Sequence, residues 1–304
     1  MTTMPPTMSH TSTNQAGFSA TVAGAGRRAL QWRLLLLWIA VLLIPTAMLA
    51  VPLWQIFSDQ LDHTLHAADL AQRLTLNAVS DLLVSVVYDG AALKSVSMLA
   101  ASFVMLATPF LNGMVVTAAR SADAPGFVAL IQGGAAEYWR MFRMLIVSLL
   151  PLAIAIGLGS AAMNGADKFA EHAILKSSAD HMGLAAQIVL GLLMVLALAS
   201  IDAGRAQFAL SSKKRSAFKA WWRGCKLIAK RPAATLGSYV VLTLVGVIVF
   251  AVFGLLRINV PHANLAGFIV GVVFTQLAAV ALAWTRGARV FALADIAKTQ
   301  AGGF

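Results

Sequence analysis

Six stretches of about 20 residues pass through this 304-residue chain without a single charged side chain. They fall at roughly 34–54, 95–119, 144–163, 183–201, 236–256 and 266–285. A helix rises about 1.5 Å per residue, so each stretch can cross a hydrocarbon core about 30 Å thick. Backbone N–H and C=O groups find no water in that core, so an open crossing segment must be helical. The expected fold is an all-α membrane protein with six transmembrane helices in three hairpins, supplemented by amphipathic interfacial helices. Between the spans, no segment is long enough for a soluble domain of about 100 residues.

Charge sets the orientation. Only 12% of the residues are charged and 59% are hydrophobic, giving a mean hydropathy of +0.79. The formal net charge is nevertheless +11. In a soluble protein that excess would point to nucleic acid. Here it is distributed by side. With the N-terminus in the cytoplasm, only Arg73, Lys94, Lys168, Lys176 and Arg257 lie outside, and the other 18 of the 23 basic residues lie inside. This is the positive-inside bias, and it places both termini in the cytoplasm. No nucleic-acid partner is expected.

The domain organisation follows. Residues 1–25, rich in Ser, Thr, Pro, Gly and Ala, read as a disordered cytoplasmic tail. Residues 26–298 form one membrane domain, and 299–304 a second tail. Arg27-Arg28 before an apolar run resembles a signal peptide, but the run lacks a small-x-small site, so a retained first span is expected. Segments 126–143 and 212–231 read as cytoplasmic interfacial helices, and 56–93 as an outer amphipathic helical segment. In 212–231, Phe218, Trp221, Trp222, Cys225 and Ile228 recur at helical spacing on one side. Lys219, Arg223, Lys226 and Lys230 recur on another, and Pro232 marks the stop. Such a helix suits the membrane surface and anionic lipid headgroups. Trp139, Arg140 and Arg143 give 126–143 the same character, interrupted by Gly133-Gly134.

The exits of spans 4 and 6 look alike. Gly204-Arg205-Ala206-Gln207-Phe208-Ala209-Leu210 stands against Gly287-Ala288-Arg289-Val290-Phe291-Ala292-Leu293. Hairpin duplication is one reading. The recurrence of Arg and aromatic residues at membrane interfaces is the other.

Few residues offer chemistry. Asp62-His63-x-x-His66-x-x-Asp69 holds metal-ligand residue types, and His63 and His66 share a helix face. With no embedded general base and no third ligand evident, a solvated helix face is the better reading, and no metal or other cofactor is expected. No phosphate loop or nucleophile elbow is visible. The spans contain no carboxylate of the kind that marks ion-coupled transport or intramembrane hydrolysis. Their polar residues are neutral: Asn112, Gln187 and Gln276 are candidates for lining a cavity or for interhelical hydrogen bonds. Lone Cys225 reads as a structural thiol. Asp202 ends span 4, and an acid there must be paired; Arg205 or a base of the 213–231 helix is the expected partner.

Ala136-Glu137-Tyr138-Trp139-Arg140-Met141-Phe142-Arg143, leading into span 3, resembles a pattern in a group of uncharacterised bacterial six-span inner-membrane proteins. So does the run from Asp202 through Arg205, Lys214-Arg215-Ser216-Ala217, Arg231-Pro232 and Thr235-Leu236-Gly237. The layout is also similar to the membrane domain attached to some glycerophosphodiester phosphodiesterases. The phosphodiesterase domain itself has no counterpart in this sequence. The resemblance implies a fold and a compartment, the bacterial inner membrane, and no reaction. The expectation is a non-enzymatic scaffold or accessory subunit engaging membrane lipids or a protein partner. The alternative is a transporter or permease component for a lipidic or small amphipathic molecule.

Overall fold

The computed structural model describes residues 10–61, 91–121, 123–173, 175–210, 216–260 and 265–301. Eight helices make up the described residues: α1 (His10–Ala29), α2 (Trp32–Leu61), α3 (Ala91–Arg120), α4 (Phe127–His172), α5 (Lys176–Ala209), α6 (Ala217–Lys230), α7 (Pro232–Ile258) and α8 (Leu265–Ala301). Six of them, all but α1 and α6, are long and apolar enough to cross a membrane. The protein is an all-helical, six-span membrane protein. Helices α2 and α3, α4 and α5, and α7 and α8 pack as hairpin pairs, α3 also packs on α4, and α1 lies against α8.

Two expectations about the helices change. Residues 10–25 are not a disordered tail. They belong to α1, whose Ala25 and Ala29 are buried against the bundle, because small side chains there let the helix lie close to α8. Trp284 Nε1 donates to the Gly26 carbonyl at 2.8 Å and fixes that contact. Residues 127–143 are not a separate interfacial helix. They are the first turns of α4, which runs unbroken for 46 residues, or about 69 Å. Gly133 and Gly134 do not interrupt it. They let α3 in: a Cβ on Gly134 would meet Met114 Cγ and Phe110 Cε2 at 2.9 Å, and one on Gly113 would meet the Gly134 carbonyl at 2.9 Å. The residues of the outer segment 62–90, with His63 and His66, lie outside the described residues.

Packing is uneven along the bundle. The core gathers at the basic end, around Leu111, Met114, Leu130, Met144, Phe208 and Phe291. Toward the other end the helices carry apolar side chains outward, as at Leu150, Ile154, Leu192, Ile248 and Val273. A soluble protein could not leave that surface uncovered; a bilayer covers it with acyl chains.

Candidate functional site

Helix α6 is built to be clamped on one side and charged on the other. Ser216 caps it, its hydroxyl accepting from the Lys219 amide at 3.4 Å. Ala217, Ala220, Trp221, Gly224 and Leu227 form its buried stripe, spaced by three or four residues. The closest approach is at glycine: a Cβ on Gly224 would lie 2.6 Å from the Gly204 amide nitrogen and 2.8 Å from the Ala203 carbonyl carbon. Trp221 Nε1 donates to Ser200 Oγ at 3.1 Å inside the same contact. Lys219, Arg223, Lys226 and Lys230 are exposed on the opposite face.

The aromatic face divides in two. Trp221 is buried in the bundle, and Cys225 and Ile228 are half-buried against it, whereas Phe218 and Trp222 are each 52% exposed. Those two stand at the flank of α6, where an apolar ring would enter a membrane interface. Burial pushes the Cys225 thiol above its ordinary value, and hydrogen bonds to Ser200 and the backbone oppose that more weakly.

Beside α6, the start of α4 supplies Trp139, stacked on Phe142 at 5.4 Å with the rings nearly parallel, and exposed Arg143. Arg140 behaves differently from the headgroup contact expected of it. It turns inward, because Glu137 one turn earlier is buried and needs a counter-charge. Between α4 and α6 lies an open crevice of about 450 Å³ lined by Arg143, Ile146, Val147, Ser216, Ala217 and Phe218. One cation and one capped helix start stand over an otherwise aliphatic and aromatic floor.

Two buried carboxylates hold the basic end together. Asp202 meets Arg205 Nη1 at 2.8 Å, as the sequence led us to expect, and Arg289 Nε at 3.3 Å. The second base comes from α8, not from α6. Arg289 also donates to the Tyr239 hydroxyl at 3.0 Å, so Asp202 joins α5 to α8 and, through Arg289, to α7. Glu137 is the other carboxylate. Arg120 Nη2 lies 3.0 Å from Oε1 and Arg140 Nη1 2.6 Å from Oε2. Arg120 also donates to the Phe208 carbonyl at 3.0 Å, and Arg140 stacks over the Phe208 ring at 4.8 Å. This group ties α3, α4 and α5. The only hint in the sequence was an acid three residues before an arginine.

The neutral polar residues are scattered over different surfaces. Asn112 is buried in α3, Gln276 is half-buried in α8, and Gln187 is exposed on the flank of α5. Among the described residues no group of three or more His, Cys, Asp or Glu side chains is placed to hold a metal ion. No protein-family profile, curated protein or solved structure matches this chain.

Proposed function

We propose that this protein is a non-enzymatic, multi-pass component of a bacterial inner membrane, with both termini cytoplasmic, that organises anionic lipid and through it a protein partner at its basic end. The carrying observation is α6. Its glycine contact with α5 and the Trp221 hydrogen bond hold it rigidly, while Lys219, Arg223, Lys226 and Lys230 face outward together. Each such cation near an anionic surface contributes about 1 kcal/mol at low salt. Phe218 and Trp222 add apolar insertion beside them. The crevice between α4 and α6 fits a lipid whose phosphate sits near Arg143 and whose chain lies on Ile146, Val147 and Phe218.

Lipid retention tests this directly. The full-length protein is reconstituted in nanodiscs of mixed phosphatidylcholine and phosphatidylglycerol, released into mild detergent, and its co-purified lipids are counted by mass spectrometry. Wild type should retain phosphatidylglycerol several-fold above its bulk share, and changing Lys219, Arg223, Lys226 and Lys230 together to Gln should bring retention close to bulk. Equal retention by the two proteins would sink the proposal.

A further inference from the structure

A second site, away from the exposed face of α6, lies where α1, the start of α7 and the end of α8 meet. A cavity of about 340 Å³ is lined there by residues that include Thr21, Arg231, Ala234, Ser238, Asp295 and Thr299. Phe18 and Ile296 complete its apolar wall. At a water's liquid share of about 30 Å³, the space is worth about ten waters.

Three features of this cavity suit an anion. The first is the start of α7, a helix of 27 residues. Its first-turn amides, Ala233 and Ala234, have no partner within the helix. Pro232 at the first position contributes no N–H, and the capping residue Arg231 has no side-chain acceptor to offer them. Ala234 lines the cavity. The second feature is Ser238, one turn further along the same face. It is fully buried and lines the cavity, and its hydroxyl has no hydrogen-bond partner among the described residues. Buried hydroxyls are otherwise almost always satisfied. The third feature is charge. Asp295 is neutralised by Arg28, whose Nη1 reaches its two oxygens at 3.0 and 2.8 Å, and Lys298 stands 3.8 Å away. Arg231 at the cavity wall, with a 3.4 Å contact to Thr299 Oγ1 and no carboxylate partner among the described residues, leaves the surroundings positive.

We infer that this cavity binds a phosphate group, held by the α7 N-terminus, Arg231 and the Ser238 hydroxyl. Helix starts favour anions through both their free amides and their dipole. The cavity sits at the basic end of the bundle, so the phosphate has two possible carriers: a soluble phosphate ester or a lipid headgroup. The inference does not depend on the lipid-organising role proposed for α6.

The test uses the full-length protein in phosphatidylcholine nanodiscs. In one arm inorganic phosphate is titrated and followed by ³¹P line width. In the other, phosphatidic acid is included in the nanodisc and its retention is counted by native mass spectrometry. Binding in the first arm alone identifies a soluble source, and binding in the second alone a lipid; either supports the site. Arg231→Gln removes a charge-assisted hydrogen bond and should weaken binding about tenfold, and Ser238→Ala about fivefold. Because the Ser238 hydroxyl has no partner among the described residues, Ser238→Ala should leave the thermal midpoint of the unliganded protein unchanged or raise it. The variant with the four α6 cations changed to Gln should bind phosphate as wild type does. Absence of binding in both arms would overturn the inference. So would equal binding by wild type, Arg231→Gln and Ser238→Ala, or a Ser238→Ala protein that loses stability and keeps its affinity.

Discussion

Replacing Glu137 by Gln changes one oxygen to an amide and should be among the most damaging single substitutions in the protein. The side chain is 7% exposed and serves two guanidiniums at 3.0 and 2.6 Å. Gln keeps the shape and can still accept one hydrogen bond, but it removes the carboxylate that both arginines pair with. Arg140, its side chain 12% exposed, would then lose the Glu137 counter-charge. Removing one partner of a buried pair costs about 3–5 kcal/mol. Arg120 is 33% exposed, so water screens it and it adds little to that figure. The stacking of Arg140 on Phe208 is present in both proteins and cancels in the difference, while the hydrogen bond that the Gln oxygen still accepts keeps the loss at the low end of that range. A net loss of about 3 kcal/mol is expected. It should be read from denaturant titration in mixed micelles, with Asp295→Asn as a partly exposed control costing about 1 kcal/mol. The double variant Glu137→Leu, Arg140→Leu should recover much of the loss, because apolar replacement of a whole buried pair is often close to neutral. A Glu137→Gln protein within about 0.5 kcal/mol of wild type would refute the reasoning, since only an ordinary surface substitution behaves so.

Further outcomes can be checked independently. Gly224→Val should push α6 off α5, because a Cβ there meets the backbone of Gly204 and Ala203 at 2.6–2.8 Å; the emission of Trp221 should shift red, and an unshifted spectrum would argue against the clamp. Cys225 should react slowly with maleimides at pH 7 in inverted vesicles and speed up only above the usual thiol range, because burial holds the thiol protonated; rapid labelling at neutral pH would contradict that environment. A cysteine replacing exposed Glu171, in the last turn of α4, should react with an impermeant reagent added to intact cells while Cys225 stays protected. The reverse pattern would invert the topology.

The spans were legible in the sequence because one physical requirement, a charge-free crossing of the bilayer, writes itself as an uninterrupted run. The two-sided character of α6 was legible for a similar reason, since the spacing of Lys219, Arg223, Lys226 and Lys230 is set by the helical period. Helix α1 was not legible. Its stretch of Ser, Thr, Gly and Ala carries little propensity, and what orders it is packing of Ala25 and Ala29 on α8 and the Trp284 bond to Gly26, both set by residues more than 250 positions away. The inward turn of Arg140 was hidden for a related reason. Periodicity locates a side chain on a face, but Glu137, the counter-charge that captured this one, is buried by packing against α3 and shared with Arg120 of that helix.

The similar exits of spans 4 and 6 gain a physical meaning from these ion pairs. Phe208 and Phe291 occupy matching places in the two segments and both are fully buried. Each has an arginine from a different helix laid over its ring, Arg140 at 4.8 Å and Arg28 at 5.4 Å. Each arginine is in turn held by an acid, Glu137 in one case and Asp295 in the other. The acids come from different places: Glu137 sits on the arginine's own helix, Asp295 on the phenylalanine's. A shared requirement therefore accounts for the likeness without a shared layout of residues. Where a helix leaves the bilayer it needs an apolar plug below and a fixed cation above, and a cation stacked on a ring and tied to a carboxylate supplies both. At the first of these exits the tied cation also stiffens the start of α4, which forms one wall of the crevice facing α6. At the second it neutralises Asp295 and so leaves Arg231 as the open charge of the neighbouring cavity.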